Sequence, residues 1–289
     1  IVTVADDGGG SGMLRQDLGM LPPGDIRNCM EALANTEPLM SELMHYRFPE
    51  GVLAGQSFGN LFLAALNGIS GSFDEAVSRM SEVLAITGRV LPVTTADVQL
   101  VAEFENGASV TGESKIFYCK KREDCRIRRV RLSPENPKAL PAALAAIREA
   151  DMIILGPGSL YTSIIPNLLV EGIVEAIQDS DALKIYVCNV MTQEGETEGY
   201  TVSDHISALF HHSCRNLFDI CLCNSSPIPK GVAAKYAQEG ASPLYADAGP
   251  CAALGVEVIS RPIATVDNGF VRHDPGHLAR ELILLHAEH

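Results

Sequence analysis

Short apolar runs alternate with amphipathic helical patterns along the second half of the chain. The apolar runs occupy residues 152–155, 184–188 and 219–223, and the helical patterns lie near residues 138–149, 202–213, 230–238 and 275–287. Buried strands that alternate with helices form a parallel sheet covered on both faces. The sequence therefore predicts an α/β fold, a three-layer Rossmann-like and mostly parallel sheet.

The first half predicts a different arrangement. Its first five residues are typical of a buried strand, and helical patterns lie near residues 26–33, 38–47, 57–69 and 72–86. Alternating apolar residues on both sides of Asn106-Gly107 predict an antiparallel hairpin that reaches residue 116. A basic stretch at 120–131 resembles a solvated edge strand, although a surface for a protein partner is the alternative. We expect one domain over residues 1–289, with a β-rich insertion at about 95–133.

Charge and cysteine usage narrow the function classes. The net charge of −14 argues against a nucleic-acid partner held by phosphate neutralisation. No apolar run has the length of a membrane span. The eight cysteines do not form a disulfide framework, and several lie within apolar stretches, as reduced thiols do. We therefore expect a cytoplasmic protein without a membrane span.

The loop after residue 155 carries the strongest binding pattern. Ligands of parallel sheets bind at the carboxyl ends of the strands, and here a strand runs into two glycines and several hydroxyl residues. Backbone amides and hydroxyls at such a turn can donate to phosphate oxygens, although an ordinary strand-to-helix turn needs the same residues. The candidate binding residues are Gly156, Pro157, Gly158, Ser159, Thr162 and Ser163.

A second candidate follows the first apolar run. Asp6 and Asp7 could bind a sugar hydroxyl, act as a general base or hold Mg²⁺, while a flexible acidic turn is the simpler alternative. Arg27 lies in the first turn of the next helix, where the helix dipole disfavours a cation unless an anion faces it. The candidate residues of this region are Asp6, Asp7, Gly8, Gly9, Asp25, Arg27 and Asn28.

Two further loops offer polar side chains. Residues 55–59 match the G-x-S-x-G pattern of serine hydrolases, but no histidine is tied to Ser57, so Ser57 and Asn60 fit a helix start facing a pocket better. Residues 188–197 follow a predicted strand and place Asn189 and Thr192 where a base or a sugar could bind. A polar surface loop is the alternative for that segment.

A group of histidines and cysteines invites a zinc assignment. Its members are His211, His212, Cys214, Cys221 and Cys223. Their spacing matches no standard zinc finger, and two of the cysteines fall on one face of an apolar strand. We therefore interpret them as buried thiols and expect no metal there.

Several of these segments together resemble the gluconeogenesis-factor (YvcK-like) family within the CofD-like superfamily. The matching segments are residues 3–9, 21–28, 110–114, 155–163 and 188–197. The last two are long enough to be specific, and the resemblance extends over nearly the whole chain. Two departures from the family pattern stand out. The sequence starts after the strand and Gly-rich loop with which the family normally begins, and residues 8–12 read Gly-Gly-Gly-Ser-Gly where the family usually has Gly-Gly-Ser-Ser-Gly.

The resemblance implies a Rossmann-like fold that binds UDP-sugars and supports gluconeogenic growth, cell shape and cell-wall synthesis. The leading hypothesis is a nucleotide-sugar-binding regulatory factor without turnover, with partner proteins of cell-wall regulation and self-association as further expectations. The alternative is a CofD-type transferase of 2-phospholactate, which uses a guanine-nucleotide-activated donor and Mg²⁺. Asp6 and Asp7 would then be the catalytic or metal-binding residues.

Overall fold

A computed structural model describes all 289 residues as a mixed α/β protein with three sheets. The strands are β1 (Gln99–Phe104), β2 (Ser109–Thr111), β3 (Ile127–Ser133), β4 (Met152–Leu155), β5 (Leu183–Val187), β6 (Ile220–Asn224), β7 (Glu257–Arg261), β8 (Ala264–Asp267) and β9 (Phe270–His273). The helices are α1 (Gly9–Leu18), α2 (Gly24–Leu33), α3 (Pro38–His45), α4 (Phe58–Ile69), α5 (Phe73–Val83), α6 (Glu113–Glu123), α7 (Pro141–Arg148), α8 (Ile165–Leu168), α9 (Ile173–Gln178), α10 (Val202–His212), α11 (Lys230–Gln238), α12 (Ala248–Ala253) and α13 (Pro275–Glu288). A single π-helical turn, Leu160–Ile164, precedes α8.

The main sheet is parallel, in the order β4-β5-β6-β7. Alternate residues of each strand point to opposite faces. Tyr186 and Cys221 contribute to the large core on one face, whereas Ile185 and Leu222 pack with leucines of α13 on the other. Apolar side chains cover both faces, which confirms the predicted three-layer α/β fold.

A separate antiparallel sheet has the order β2-β1-β3. Its hairpin turns at residues 105–108 as predicted, and β3 is an edge strand. The predicted second hairpin strand was too long: it ends at Thr111, because Gly112 takes a φ of +108° and α6 begins at the next residue. The basic residues 120–122 belong to the last turn of α6, where cations are favoured by the helix dipole, and are not part of a strand.

The first residues form no regular strand, contrary to the prediction. Val2 makes an isolated parallel bridge to Pro92, with hydrogen bonds of 2.9 Å to the Leu91 carbonyl and 2.8 Å from the Val93 amide. Asp6 and Asp7 then lead directly into α1, with Gly8 as the N-cap residue. No helix of the chain combines the length and the apolar character that crossing a bilayer requires.

Candidate ligand-binding site

A cavity of about 460 Å³ lies between the loop after β4 and the start of α2. Its polar lining includes Asp25 and Asn28 from α2, together with Ser163 from the π-helical turn. Gly156 and Gly158 bring backbone to the same wall. The structure therefore places predicted residues of two distant segments around one cavity.

A second cavity, of about 630 Å³, opens beyond the carboxyl ends of β4 and β5. It shares Pro157 and Gly158 with the first cavity, so the two adjoin. Of the predicted residues, it is lined by Ser159, Asn189 and Thr192. Two further lining residues, Arg272 and His273 of β9, were not predicted from sequence patterns. Arg272 supplies a cation, whereas burial lowers the pKa of His273 and so disfavours its charged form.

The loop after β4 is held by side chains from the loop after β5. Ser159 donates its hydroxyl to Gln193 Oε1 at 2.8 Å. The amides of Tyr161 and Thr162 donate to Glu196 Oε1 at 2.6 and 3.0 Å. The Thr162 amide, expected to face a ligand anion, is thus already bound to a carboxylate of the chain itself.

Two amides of this loop remain available to a ligand. Those of Gly158 and Ser159 donate to no protein group.

Glu196, which accepts the other two amides, is only 2% exposed. Its burial raises the pKa of its carboxyl to about 7, despite the two amide hydrogen bonds that lower this pKa. Its second oxygen, Oε2, has no partner.

Acidic side chains gather beside α1 and α2. Asp6 Oδ1 accepts the Gly8 amide, and Asp7 Oδ1 accepts the Ser114 amide, both at 2.8 Å. Burial, and then the charges of Asp6, Asp25, Asp7 and Glu196, raise the pKa of Glu113 to about 8. The pKa of Asp25 rises to about 6, chiefly by burial.

The acidic cluster was only partly predicted: Glu113 and Glu196 were not among the candidates, although both lie in segments that resemble the family. No three of its carboxylates bring their oxygens within 4.8 Å of one another. The protein alone therefore provides no closed cage for a cation. Glu113 Oε2 and Glu196 Oε2 are buried and have no hydrogen-bond partner.

Three predicted residues instead join α2 to α4. Arg27 donates through Nε to Asn60 Oδ1 at 3.0 Å and through Nη1 to Glu31 Oε1 at 2.7 Å. The Ser57 hydroxyl accepts the Asn60 amide at 3.1 Å and caps α4. All three residues are buried, and none lines either cavity.

His205 and His273 make their hydrogen bonds to groups other than Ser57. His205 Nδ1 pairs with the Tyr186 hydroxyl at 2.9 Å, and His273 Nε2 pairs with the Cys188 carbonyl at 3.1 Å. Neither makes a hydrogen bond to Ser57. The nucleophile–base pair that serine hydrolysis requires is therefore missing.

Much of the basic stretch is neutralised within the protein. Lys120 pairs with Glu198 at 3.2 Å, and Lys121 pairs with Glu194 at 2.5 Å. On β3, Arg128 reaches Glu103 at 3.1 Å. The two lysine pairs tie α6 to the loop after β5, and the Arg128 pair joins β3 to β1.

The parallel sheet defines an α/β protein of Rossmann-like architecture, and two adjoining cavities beside the loop after β4 form its candidate ligand site. Residues 1–264 match the family model described as 2-phospho-L-lactate transferase CofD. A gluconeogenesis factor of Bacillus subtilis is 49% identical over 284 residues, which cover 98% of this chain and 88% of that protein. The chain belongs to the CofD family, and its relatives there are gluconeogenesis factors.

The likeness extends to a longer relative and to a solved structure. A relative from Clostridium acetobutylicum is 49% identical over 283 residues, or 98% of this chain and 63% of that protein. A crystal structure of a protein from Bacillus halodurans superposes with a TM-score of 0.94 at 47% identity, and covers 98% of this chain and 90% of that one. The sequence-based assignment to this family is therefore confirmed.

Proposed function

We propose that the protein binds a nucleotide sugar, such as a UDP-sugar, across the two adjoining cavities, and acts as a regulatory factor without turnover. The observation that carries this proposal is that both cavities share the Pro157-Gly158 backbone. A ligand with two dissimilar ends would place one in each cavity and its phosphates against the shared backbone. The cavity volumes fall within the range of small-molecule sites.

Three groups supply the phosphate recognition. The free amides of Gly158 and Ser159 would donate to phosphate oxygens, and Arg272 adds a cation at the same cavity. The Asn189 side chain makes no hydrogen bond within the protein and is half-buried, so it can read a base or sugar edge. Local donors of this kind bind an anion even in a chain with a net charge of −14.

Isothermal titration with UDP-N-acetylglucosamine tests the proposal. We expect saturable binding, and loss of about tenfold or more in affinity for Arg272→Gln, because a charge-assisted hydrogen bond is lost. Arg280→Gln, on the exposed side of α13, is the matched control and should bind as the unmodified protein does. Absence of binding heat with the intact protein would refute the proposal, and GDP titrated in parallel reports on base preference.

The acidic cluster favours a second candidate, the CofD-type transfer of 2-phospholactate. There Asp6 and Asp25 would share a Mg²⁺ with the donor phosphates, and Asp7 would accept the acceptor's hydroxyl proton. Incubation with a guanine-nucleotide-activated donor, Mg²⁺ and a deazaflavin acceptor tests this function. Product formation that is lost in Asp7→Asn but kept in Ser57→Ala would support the transferase. If the unmodified protein forms no product, the transferase is excluded and the non-catalytic binding factor is favoured.

The proposed cellular role is support of gluconeogenic growth, cell shape and cell-wall synthesis. It follows from the family resemblance and depends on the occupied site. A deletion strain complemented with Arg280→Gln should grow on gluconeogenic carbon sources with normal shape. If Arg272→Gln complements the deletion strain as well as Arg280→Gln does, the cellular role does not depend on ligand binding at this site.

A further inference from the structure

Three cysteine sulfurs meet inside the parallel sheet. Cys188, at the end of β5, joins Cys221 and Cys223 of β6, and the three Sγ atoms all lie within 4.8 Å of one another. The Cys221 and Cys223 sulfurs are 3.7 Å apart. Each residue is at most 1% exposed.

The strand register produces this convergence. Cys221 and Cys223 are alternate residues of one strand and so point to the same face. On the neighbouring strand Tyr186 is opposite Cys221, and the Cys188 amide donates to the Leu222 carbonyl at 3.0 Å, which places Cys188 beside Cys223. Cys188 lies 33 residues before Cys221, so sequence spacing gives no sign of the trio. The expectation that Cys221 and Cys223 bind no metal was made without this third sulfur.

We propose that Cys188, Cys221 and Cys223 form a three-sulfur site for a soft monovalent metal ion, Cu(I). With metal–sulfur bonds of about 2.3 Å, trigonal coordination needs sulfurs about 4 Å apart. The observed separations match this spacing with little rearrangement. No histidine or carboxylate joins the group, and a purely thiolate set selects Cu(I) over harder ions.

The trio lies next to the candidate ligand cavity. The Cys188 carbonyl is bound by His273, and the next residue, Asn189, lines the larger cavity. A metal ion here would lie directly behind one wall of the candidate binding site.

Anaerobic titration of the reduced protein with Cu(I), against a chromogenic chelator, tests the site. We expect one tightly held Cu(I) per chain, and affinity that rises with pH because binding displaces thiol protons. X-ray absorption of the loaded protein should show three sulfur neighbours at about 2.3 Å. Retention of no copper, or a shell that contains nitrogen or oxygen, would overturn the proposal.

Substitutions separate this site from the other five cysteines. Cys223→Val keeps the core apolar, and it should weaken Cu(I) binding more than about tenfold. Cys29→Val and Cys214→Val, both half-buried and outside the trio, should bind Cu(I) as the unmodified protein does. Equal losses in all three variants would overturn the site, and thermal unfolding checks that each variant is folded. A zinc titration in parallel that outcompetes Cu(I) through a fourth ligand would overturn the three-sulfur assignment.

Discussion

Glu196 accepts the amide of Tyr161 in a hydrogen bond of 2.6 Å, although the two residues are 35 positions apart in sequence. The contact fastens the turn after β4 to the loop after β5, and these two loops provide the shared wall and one side of the larger cavity. Since the carboxylate is buried, its amide partners have no water to replace it. The geometry of the candidate site therefore depends on an acidic residue that lines neither cavity.

Replacing Glu196 with alanine should destabilise the protein by about 2–4 kcal/mol, because one buried and one partly buried amide lose their acceptor. Glu196→Gln keeps an oxygen acceptor and should cost less than about 1 kcal/mol. Urea unfolding of both variants measures the difference. Glu42→Ala, exposed on α3, is the control, and equal losses for Glu196→Ala and Glu196→Gln would contradict the structural role.

Gly156 and Gly158 should respond differently to a methyl group. Gly156 has a φ of +83°, and a Cβ there would lie 3.0 Å from Ile164 and 3.2 Å from the Val187 carbonyl. We therefore expect Gly156→Ala to lower the free energy of unfolding by about 2–4 kcal/mol. Calorimetric melting is the measurement, and an unchanged melting temperature would show that the turn relaxes freely.

Gly158→Ala should instead impair ligand binding alone. Its Cβ would lie 3.4 Å from the Ser163 Cβ, an ordinary contact, and would narrow the junction of the two cavities. We expect stability within about 0.5 kcal/mol and affinity for UDP-N-acetylglucosamine reduced about tenfold. Gly231→Ala on α11, where nothing lies within 4 Å, is the control. Unchanged affinity in Gly158→Ala would remove the junction from the binding site.

Stability should fall as the pH rises across the range in which the acidic cluster ionises. The pKa of Glu113 is raised to about 8 in the fold, so its contribution is complete below the unfolded value of 4.5 and is lost as pH rises through 8. Glu113→Gln should therefore be more stable than the unmodified protein at pH 9, by roughly 1–3 kcal/mol, but not at pH 5. Urea unfolding at both pH values tests this, with the exposed Glu105→Gln as control. A parallel gain at both pH values would contradict the assignment.

Replacing Arg27 should lower the stability of the protein, because its side chain is bound within the fold and lines neither cavity. Arg27→Gln breaks a buried ion pair with Glu31 and should cost about 3 kcal/mol of stability. Arg89→Gln, in the loop between α5 and β1, is the control: Arg89 is exposed, so this variant should change the free energy of unfolding by less than about 0.5 kcal/mol. Reduced ligand affinity in Arg27→Gln with full stability would return Arg27 to the binding site.

The elements that the sequence predicted well are those with strong apolar periodicity. Strands β4, β5 and β6 are mostly apolar, and α10 spans Val202–His212 with six buried residues, close to its predicted bounds. Strand β7 and the β8–β9 hairpin were not predicted, because β7 is only half-buried and alternates weakly with polar residues. Strand β9 carries Arg272 and His273, so these two residues that line the larger cavity were missed with it.

The candidate site was predicted where local pattern suffices and missed where tertiary contacts decide. Glycines and hydroxyls after a strand identify the loop at 156–163 from sequence alone. Glu196 binds two amides of this loop, and that contact depends on how the loops after β4 and β5 meet, which local sequence does not show. Arg27 was assigned to a ligand because a cation in a first helical turn is unusual, but its partner proved to be Glu31, one turn later in the same helix.

The partition between the two cavities consists of a pyrrolidine ring and a residue with no side chain at all. Proline has no amide hydrogen to donate, so Gly158 supplies the only N–H of the pair. For a ligand that spans both cavities as proposed, this junction therefore presents one hydrogen-bond donor and no side chain beyond the proline ring, so the middle of the ligand can lie directly against the main chain.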